Sequence, residues 1–256
     1  PFIIKPVEGH AKEGIRLISN ESELKSWLKI HSSSIEMIGE RYIEGEEVVA
    51  LGQVHAGRFH LAILSDKIRT APPYFVDLRH LAPSKYAHRW SEIEAIGQKL
   101  AEHFSMRSSP LVMEFIFDAQ ECLHLIEAAP EFGGEFIADY LLPACTGYSI
   151  FEQAILSLTR RKFSPPARKS RSCGVISYLT ANAGIITSLE PSIEPGAGLL
   201  FAKALKNIGE ASTVPKTNHD RIAVCAVRGQ SREEAMSLAD TALAKLKLNV
   251  TPRKSK

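Results

Sequence analysis

The sequence lacks a CxxC pair. Its four cysteines, Cys122, Cys145, Cys173 and Cys225, are scattered among 256 residues. Their expected role is that of small buried hydrophobes in a reducing cytoplasm. No apolar run approaches the ~18 residues that span a bilayer, and no basic-then-apolar leader opens the chain. A membrane partner is therefore not expected. Excess charge of one sign is also missing: 31 Lys and Arg face 29 Asp and Glu, a formal net charge of +2. That balance gives no electrostatic reason to expect nucleic acid, although a nucleotide needs only a local positive site.

Apolar residues make up 45% of the chain and charged residues 23%, an ordinary globular mixture. The length suits one large domain or two modest ones, with a core that needs no staples. A homo-oligomer is compatible with this composition. The chain opens at Pro1 and runs almost directly into an apolar segment, Phe2-Ile3-Ile4, so a further upstream region is expected.

Strands are expected at Phe2 to Lys5, Ile15 to Ile18, Met37 to Ile43, Glu47 to Val54 and Phe59 to Leu64, the last two joined by a turn at Ala56-Gly57. Asn20, with Glu23 three residues on, opens a helix with Leu24, Trp27 and Leu28 on its apolar stripe. Residues 65 to 85 hold Pro72, Pro73 and Pro83 and read as loop. Ile93, Ile96, Leu100 and Phe104 mark a second helix by their spacing. Further helices are expected at Phe136 to Leu142 and Tyr148 to Leu158. The basic, proline-bearing stretch from Arg160 to Arg171 reads as an exposed connection. Beyond it come strands at Gly174 to Leu179 and Ile222 to Val227. A final helix is capped by Ser231 and Glu234, with Ala235, Leu238, Ala242 and Leu246 on its apolar face. The mixture, without strict βαβ alternation, indicates an α+β fold. The expected division is residues 1–160, a linker at 161–172, and a C-terminal α+β lobe at 173–250.

The most informative segment is the hairpin formed by Leu111 to Phe117 and Cys122 to Ala128. A loop around Asp118 to Glu121 pairs Phe117 with Cys122 and sets Glu114 opposite Leu125. Glu127 is then the diagonal neighbour of Glu114 on one face, ~7–8 Å away at the backbone. A slip of one residue would send the two acids to opposite faces. The other face, with Leu111, Met113, Phe115, Phe117 and Ile126, is a core face. Such acids meet solvent, pair with Lys or Arg, or share a cation. Mg2+ (or Mn2+) is a hard cation commonly held by one or two carboxylates together with substrate phosphates. From Glu127 the chain passes through Glu131 to Gly133-Gly134, where the backbone can approach a ligand and a helix start offers N–H groups to an anion. Any tight turn can use the same glycine pair.

Lys5 ends a strand just before a polar loop in which Gly9 and Gly14 permit folding over phosphate. A solvated lysine fits the same pattern, and the loop matches neither GxxxxGK[ST] nor GxGxxG, so a P-loop or Rossmann assignment fails. In the third element, Glu40 to Glu47, the Glu40 side chain can accept from an amino group. The backbone of Tyr42 and Ile43 can read an adenine edge, and Glu47 can bind ribose hydroxyls. Taken alone, that segment also fits a charged hinge between strands.

In their order and spacing, these three pieces resemble the ATP-grasp superfamily of carboxylate–amine ligases over roughly residues 1 to 160. The stretch from Asp220 to Ala235 resembles, more loosely, the C-terminal lobe of L-amino-acid ligases and biotin-carboxylase-like enzymes. The resemblance implies ATP and Mg2+ as cofactors, and small-molecule carboxylate and amine substrates joined through an acyl phosphate. It assigns Lys5 to phosphate, Glu40, Tyr42 and Ile43 to adenine, Glu47 to ribose, and Glu114 and Glu127 to the metal. A carboxylase or carbamoyl-phosphate-forming enzyme, or a silent ATP-binding relative, carries the same motifs. Many members have Asn, Arg and Ser where this chain has Ala129, Glu131 and Lys12.

Overall fold

The computed structural model describes residues 1–30 and 36–252. The strands are β1 (Phe2–Pro6), β2 (Arg16–Ile18), β3 (Met37–Arg41), β4 (Gly45–His55), β5 (Arg58–Arg69), β6 (Asp77–Ala82), β7 (Ser108–Asp118) and β8 (Leu123–Ala129). Then follow β9 (Cys173–Leu179), β10 (Gly184–Ser188), β11 (Ser192–Ile193), β12 (Leu199–Ala204), β13 (Ala211–Ser212), β14 (Ala223–Gly229) and β15 (Asn249–Thr251). The α-helices are α1 (Glu21–Ile30), α2 (Trp90–His103), α3 (Leu142–Thr146), α4 (Ile150–Leu158) and α5 (Arg232–Lys245).

A nine-stranded sheet in the order β11-β12-β14-β9-β6-β5-β4-β7-β8 dominates, and its neighbouring strands are antiparallel. Strand alternation sorts its side chains. Phe115, Phe117, Phe59, Leu61 and Leu64 pack under α2, and Val175, Cys225 and Val227 pack under α5. The opposite face carries Val49, Ile63, Ile176 and Val224 against α3 and α4. The chain is thus an α+β protein with helices on both faces of antiparallel strands. Small sheets β2-β1-β3 and β13-β10-β15 flank it. The first holds its own cluster of Ile4, Ile18 and Trp27.

Local chemistry explains most elements. The β4–β5 turn places Ala56 and Gly57 at φ of 50° and 80°, the doubly left-handed turn that fits the strands' twist. Asn20 Oδ1 accepts from Glu23 N at 2.9 Å, Ser149 Oγ from Glu152 N, and Ser231 Oγ from Glu234 N, capping three helices. At Gly97 of α2 a Cβ would lie 2.4 Å from the Phe59 ring, so helix and sheet meet without a side chain between them. Among the described residues no helix is long and apolar enough to cross a membrane.

Several expectations need correction. Within residues 65–85, positions 65–69 and 77–82 are strand and only the remainder is loop, because Pro72 and Pro73 occupy the β5–β6 turn and Pro83 follows β6. The prolines bound the strands and do not interrupt their ladder. Leu28 and Phe104 are exposed, whereas Trp27 and Ile93 are buried as expected and Ala101 joins them. The expected helix from Phe136 is a π turn over Ile137–Leu141 leading into α3. Cys145 and Cys225 are buried, as expected, and burial pushes both thiols up to about 12, whereas Cys122 is exposed. Residues 160–171 form no regular element, although Phe163 stacks on His55 and Arg168 pairs with Glu94.

Candidate active site

The hairpin register decides the geometry of the site. Phe117 pairs with Leu123, one residue later than expected, because the loop runs to Cys122. Asp118 fixes that loop by accepting from the Gln120 and Cys122 amides. A second one-residue shift follows: Phe115 pairs with Leu125 and Glu114 with Glu127, leaving Ile126 as a bulge. The two shifts cancel in parity. Glu127 becomes the direct partner of Glu114, not its diagonal neighbour, and both side chains line the same cavities.

Register sets two neighbouring rows on this face, one through Glu114 and Val49 and the next through Glu47, Lys67 and His80. Val49 pairs with Glu114, Glu47 with Lys67, and Lys67 with His80. Lys67 is the hub. Its Nζ lies 2.7 Å from Glu114 Oε1, 3.4 Å from Asp77 Oδ1 and 3.8 Å from Glu47 Oε2, with its side chain only 2% exposed. Burial would pull the ammonium down, but Asp77, Glu114 and Glu47 outweigh it and hold it well above the usual lysine range. Burial likewise would raise Glu114, yet Lys67 and Lys12 bring its carboxyl down to about 2. Lys12 arrives from the loop after β1, with Nζ 3.7 Å from Glu114 Oε2 and 4.0 Å from Asp77 Oδ1.

Beside this centre lies a second cluster around Glu135. His80 Nε2 and Arg221 Nη1 contact its two carboxylate oxygens, and Asn218 bridges Glu135 to Asp77. Desolvation opposes the charge of Glu135, but His80, Arg221 and Lys67 keep its carboxyl far below the usual range. The Arg221 guanidinium sits 3.8 Å from the centroid of the Tyr178 ring. Glu135 and Phe136 hold φ of 67° and 62°, an uncommon pair of left-handed non-glycine residues of the kind that collects at functional sites. The turn at Gly133, φ 69° and packed on Val112, delivers them.

The other expected residues converge as well. Lys5, Glu40, Tyr42, Ile43 and Glu47 line one cavity with Glu114 and Glu127, between the small β2-β1-β3 sheet and the large one. Lys5 Nζ pairs with Glu40 Oε2 at 2.7 Å, so each occupies the other's polar group. Glu47 Oε1 takes Arg69 at 2.6 Å, and the Arg69 guanidinium covers Phe75, which faces Tyr42. Gly14 has φ of 71° and touches Pro6, so glycine is required there. At Gly9 the backbone has no such requirement; the left-handed positions fall on Ala11 and Lys12. Glu131, Gly133 and Gly134 line the adjoining cavity of about 80 Å3 with Glu114 and Glu127.

The donor set fits a hard divalent cation. Two carboxylates are adjacent on one face, and Glu127 forms no ion pair or hydrogen bond among the described residues, leaving its oxygens available. Lys67, Asp77, His80, Glu135, Asn218 and Arg221 were not anticipated. Lys67, Asp77 and His80 fall within the proline-bearing stretch 65–85, where the sequence alone suggests loop. A lysine and a histidine on buried strands, and a third acid directly after Gly133-Gly134, were the signals available.

Comparison with known proteins bears on this arrangement. The ATP-grasp domain family matches residues 1–139. A comparison with curated proteins finds no match. Among solved structures, an L-amino acid ligase from Bacillus licheniformis is 14% identical with a TM-score of 0.79, over 99% of this chain and 65% of that one. The biotin carboxylase domain dimer of Hydrogenobacter thermophilus 2-oxoglutarate carboxylase, determined with MgADP, ADP and bicarbonate, is 20% identical with a TM-score of 0.72, over 98% and 58%. Phosphoribosylglycinamide synthetase from Anaerococcus prevotii is 13% identical with a TM-score of 0.67, over 99% and 64%. The chain therefore spans under two thirds of the length of each of these neighbours, and at such identities the likeness establishes the fold.

Proposed function

Because the chain belongs to the ATP-grasp family, we propose that it serves an Mg2+-dependent ligase, acting in the cytoplasm, that activates a small carboxylate with ATP and couples it to an amine. The observation that carries this reading is the direct pairing of Glu114 with Glu127 beneath a cleft that also gathers Lys5, Glu40, Tyr42 and Glu47. Adenine enters between Tyr42 and Phe75, with the Tyr42–Ile43 backbone along its edge. Glu47 meets the ribose, and Lys5 moves from Glu40 to phosphate. Glu114 and Glu127 would hold Mg2+, which would offset charge on the phosphate oxygens.

The chemistry is then positioning and charge compensation. A substrate carboxylate oxygen attacks the γ-phosphorus and ADP leaves. The amine nitrogen attacks the resulting acyl carbon, and inorganic phosphate departs while the nitrogen loses a proton. Arg221, braced by Glu135 and Tyr178, provides the guanidinium for the carboxylate or acyl phosphate. It serves where relatives carry Arg at the position of Glu131. The loop from Gly9 to Gly14 covers the site and shields the acyl phosphate from water.

The test is ADP and phosphate release by the full-length protein against paired amino acids and other small acids and amines. Amine-dependent release supports the ligase. Stimulation by bicarbonate would assign a carboxylase, and ATP binding without ADP from any pair would assign a silent homologue.

A further inference from the structure

Away from the acidic centre, on the outer side of the loop after β1, His10, Glu13 and His219 bring one ligand atom each to within 4.8 Å of the others. We propose that these three side chains bind Zn2+ and that the ion clamps this loop to the segment around Asn218. The donor set points to this ion class. Two imidazoles and one carboxylate suit zinc and its neighbours, whereas Mg2+ takes oxygen donors.

The donors are brought together by backbone that is ordered independently of the ion. Glu13 N donates to His10 O at 3.0 Å, closing a turn that places both side chains on one edge of the loop. Asn218 N donates to Ala11 O at 2.9 Å, tying that turn to the opposite segment. Asn218 is itself buried against Asp77, and Asp220 accepts from the Thr217 amide, so His219 projects from a fixed base. Its Nε2 lies 3.5 Å from Glu13 Oε1, and the two imidazoles meet edge to face with centroids 5.6 Å apart. Zinc bonds of about 2.0–2.1 Å place tetrahedral ligand atoms roughly 3.3 Å apart. Rotamer adjustment of three exposed side chains closes that gap, and water fills the fourth position. Because the same loop carries Lys12 over Glu114, an ion here governs how freely the loop moves.

The experiment titrates the tag-free full chain with Zn2+ by calorimetry, without nucleotide, and follows hydrogen exchange of residues 7–14. One saturable site is expected, with slowed exchange in the loop. His10→Ala and His219→Ala should each weaken binding at least about tenfold, the loss that even an outer-shell partner causes, while Cys122→Ser binds as the parent. Absence of saturable binding, parent-like affinity in either histidine variant, or loss of binding in Cys122→Ser would overturn the site. Zn2+ binding that leaves loop exchange unchanged would overturn the clamp. No arm involves ATP, so the result stands apart from the ligase reading.

Discussion

The Lys67 ammonium stands 2.7 Å from Glu114 and 3.4 Å from Asp77, so one buried cation joins acids from β6 and β7. Removing it strands the Asp77 carboxylate, only 3% exposed, and leaves Glu114, 26% exposed in the cleft, with Lys12 alone. Lys67→Met is therefore expected to cost about 3–5 kcal/mol in urea unfolding. Adding Glu114→Gln should recover part of that loss, because the two sites act on one interaction. Equal and additive costs in the single and double variants would mean that the pair is not coupled.

Acid should expose the same interaction. The Glu114 carboxyl lies at about 2 in the fold against 4.5 ordinarily. A lowered carboxyl contributes stability that is complete above the ordinary value and is lost as pH falls through the folded one. Between pH 4.5 and 2 the parent should lose stability more steeply than Glu114→Gln, by up to one proton, about 1.4 kcal/mol per pH unit. Parallel curves in that window would remove the assigned role of Lys67 and Lys12 at this carboxyl.

Gly133 holds φ of 69°, a Cβ there would come within 3.3 Å of Val112 Cγ2, and the turn aims Glu135 back at His80 and Arg221. An L side chain in that conformation costs about 1–2 kcal/mol. Gly133→Ala should lower stability by that amount and reduce kcat more than the KM for ATP, because the displaced group is at the second cluster, not the nucleotide cleft. A change in the ATP KM alone would contradict this placement.

Glu127 is exposed and forms no ion pair among the described residues. Glu127→Gln should leave thermal stability within about 0.5 kcal/mol of the parent while weakening Mg-ATP binding at least about tenfold, as loss of a charged partner of 1.4 kcal/mol or more implies. Calorimetric titration with Mg-ATP reads both affinity and stoichiometry. Unchanged affinity would take Glu127 out of the metal site.

The α+β class, most elements and the shared face of Glu114 and Glu127 were legible in the sequence, because apolar alternation and capping residues are local signals. The bulge at Ile126 was not, since nothing in a strand of Leu, Ile and Ala marks which residue is skipped. The acids nevertheless reached one face because two register errors cancelled. Lys67 and His80 are hidden for a different reason: prolines on either side of β6 suggest loop in the sequence, whereas in the fold they delimit the strand. Arg221 and Asn218 join the site from more than eighty residues beyond Glu135. No local pattern announces a contact of that range.

Glu114 and Glu127 are expected to hold the divalent ion of Mg-ATP between them. A crystal structure of the protein with Mg2+ and a non-hydrolysable ATP analogue tests it most directly. The expected result is Mg2+ about 2.0–2.1 Å from an oxygen of each carboxylate, phosphates alongside, and Lys12 Nζ displaced from Glu114. Nucleotide bound elsewhere, or a cleft in which Lys67 and Lys12 keep Glu114 and no ion reaches Glu127, would contradict it.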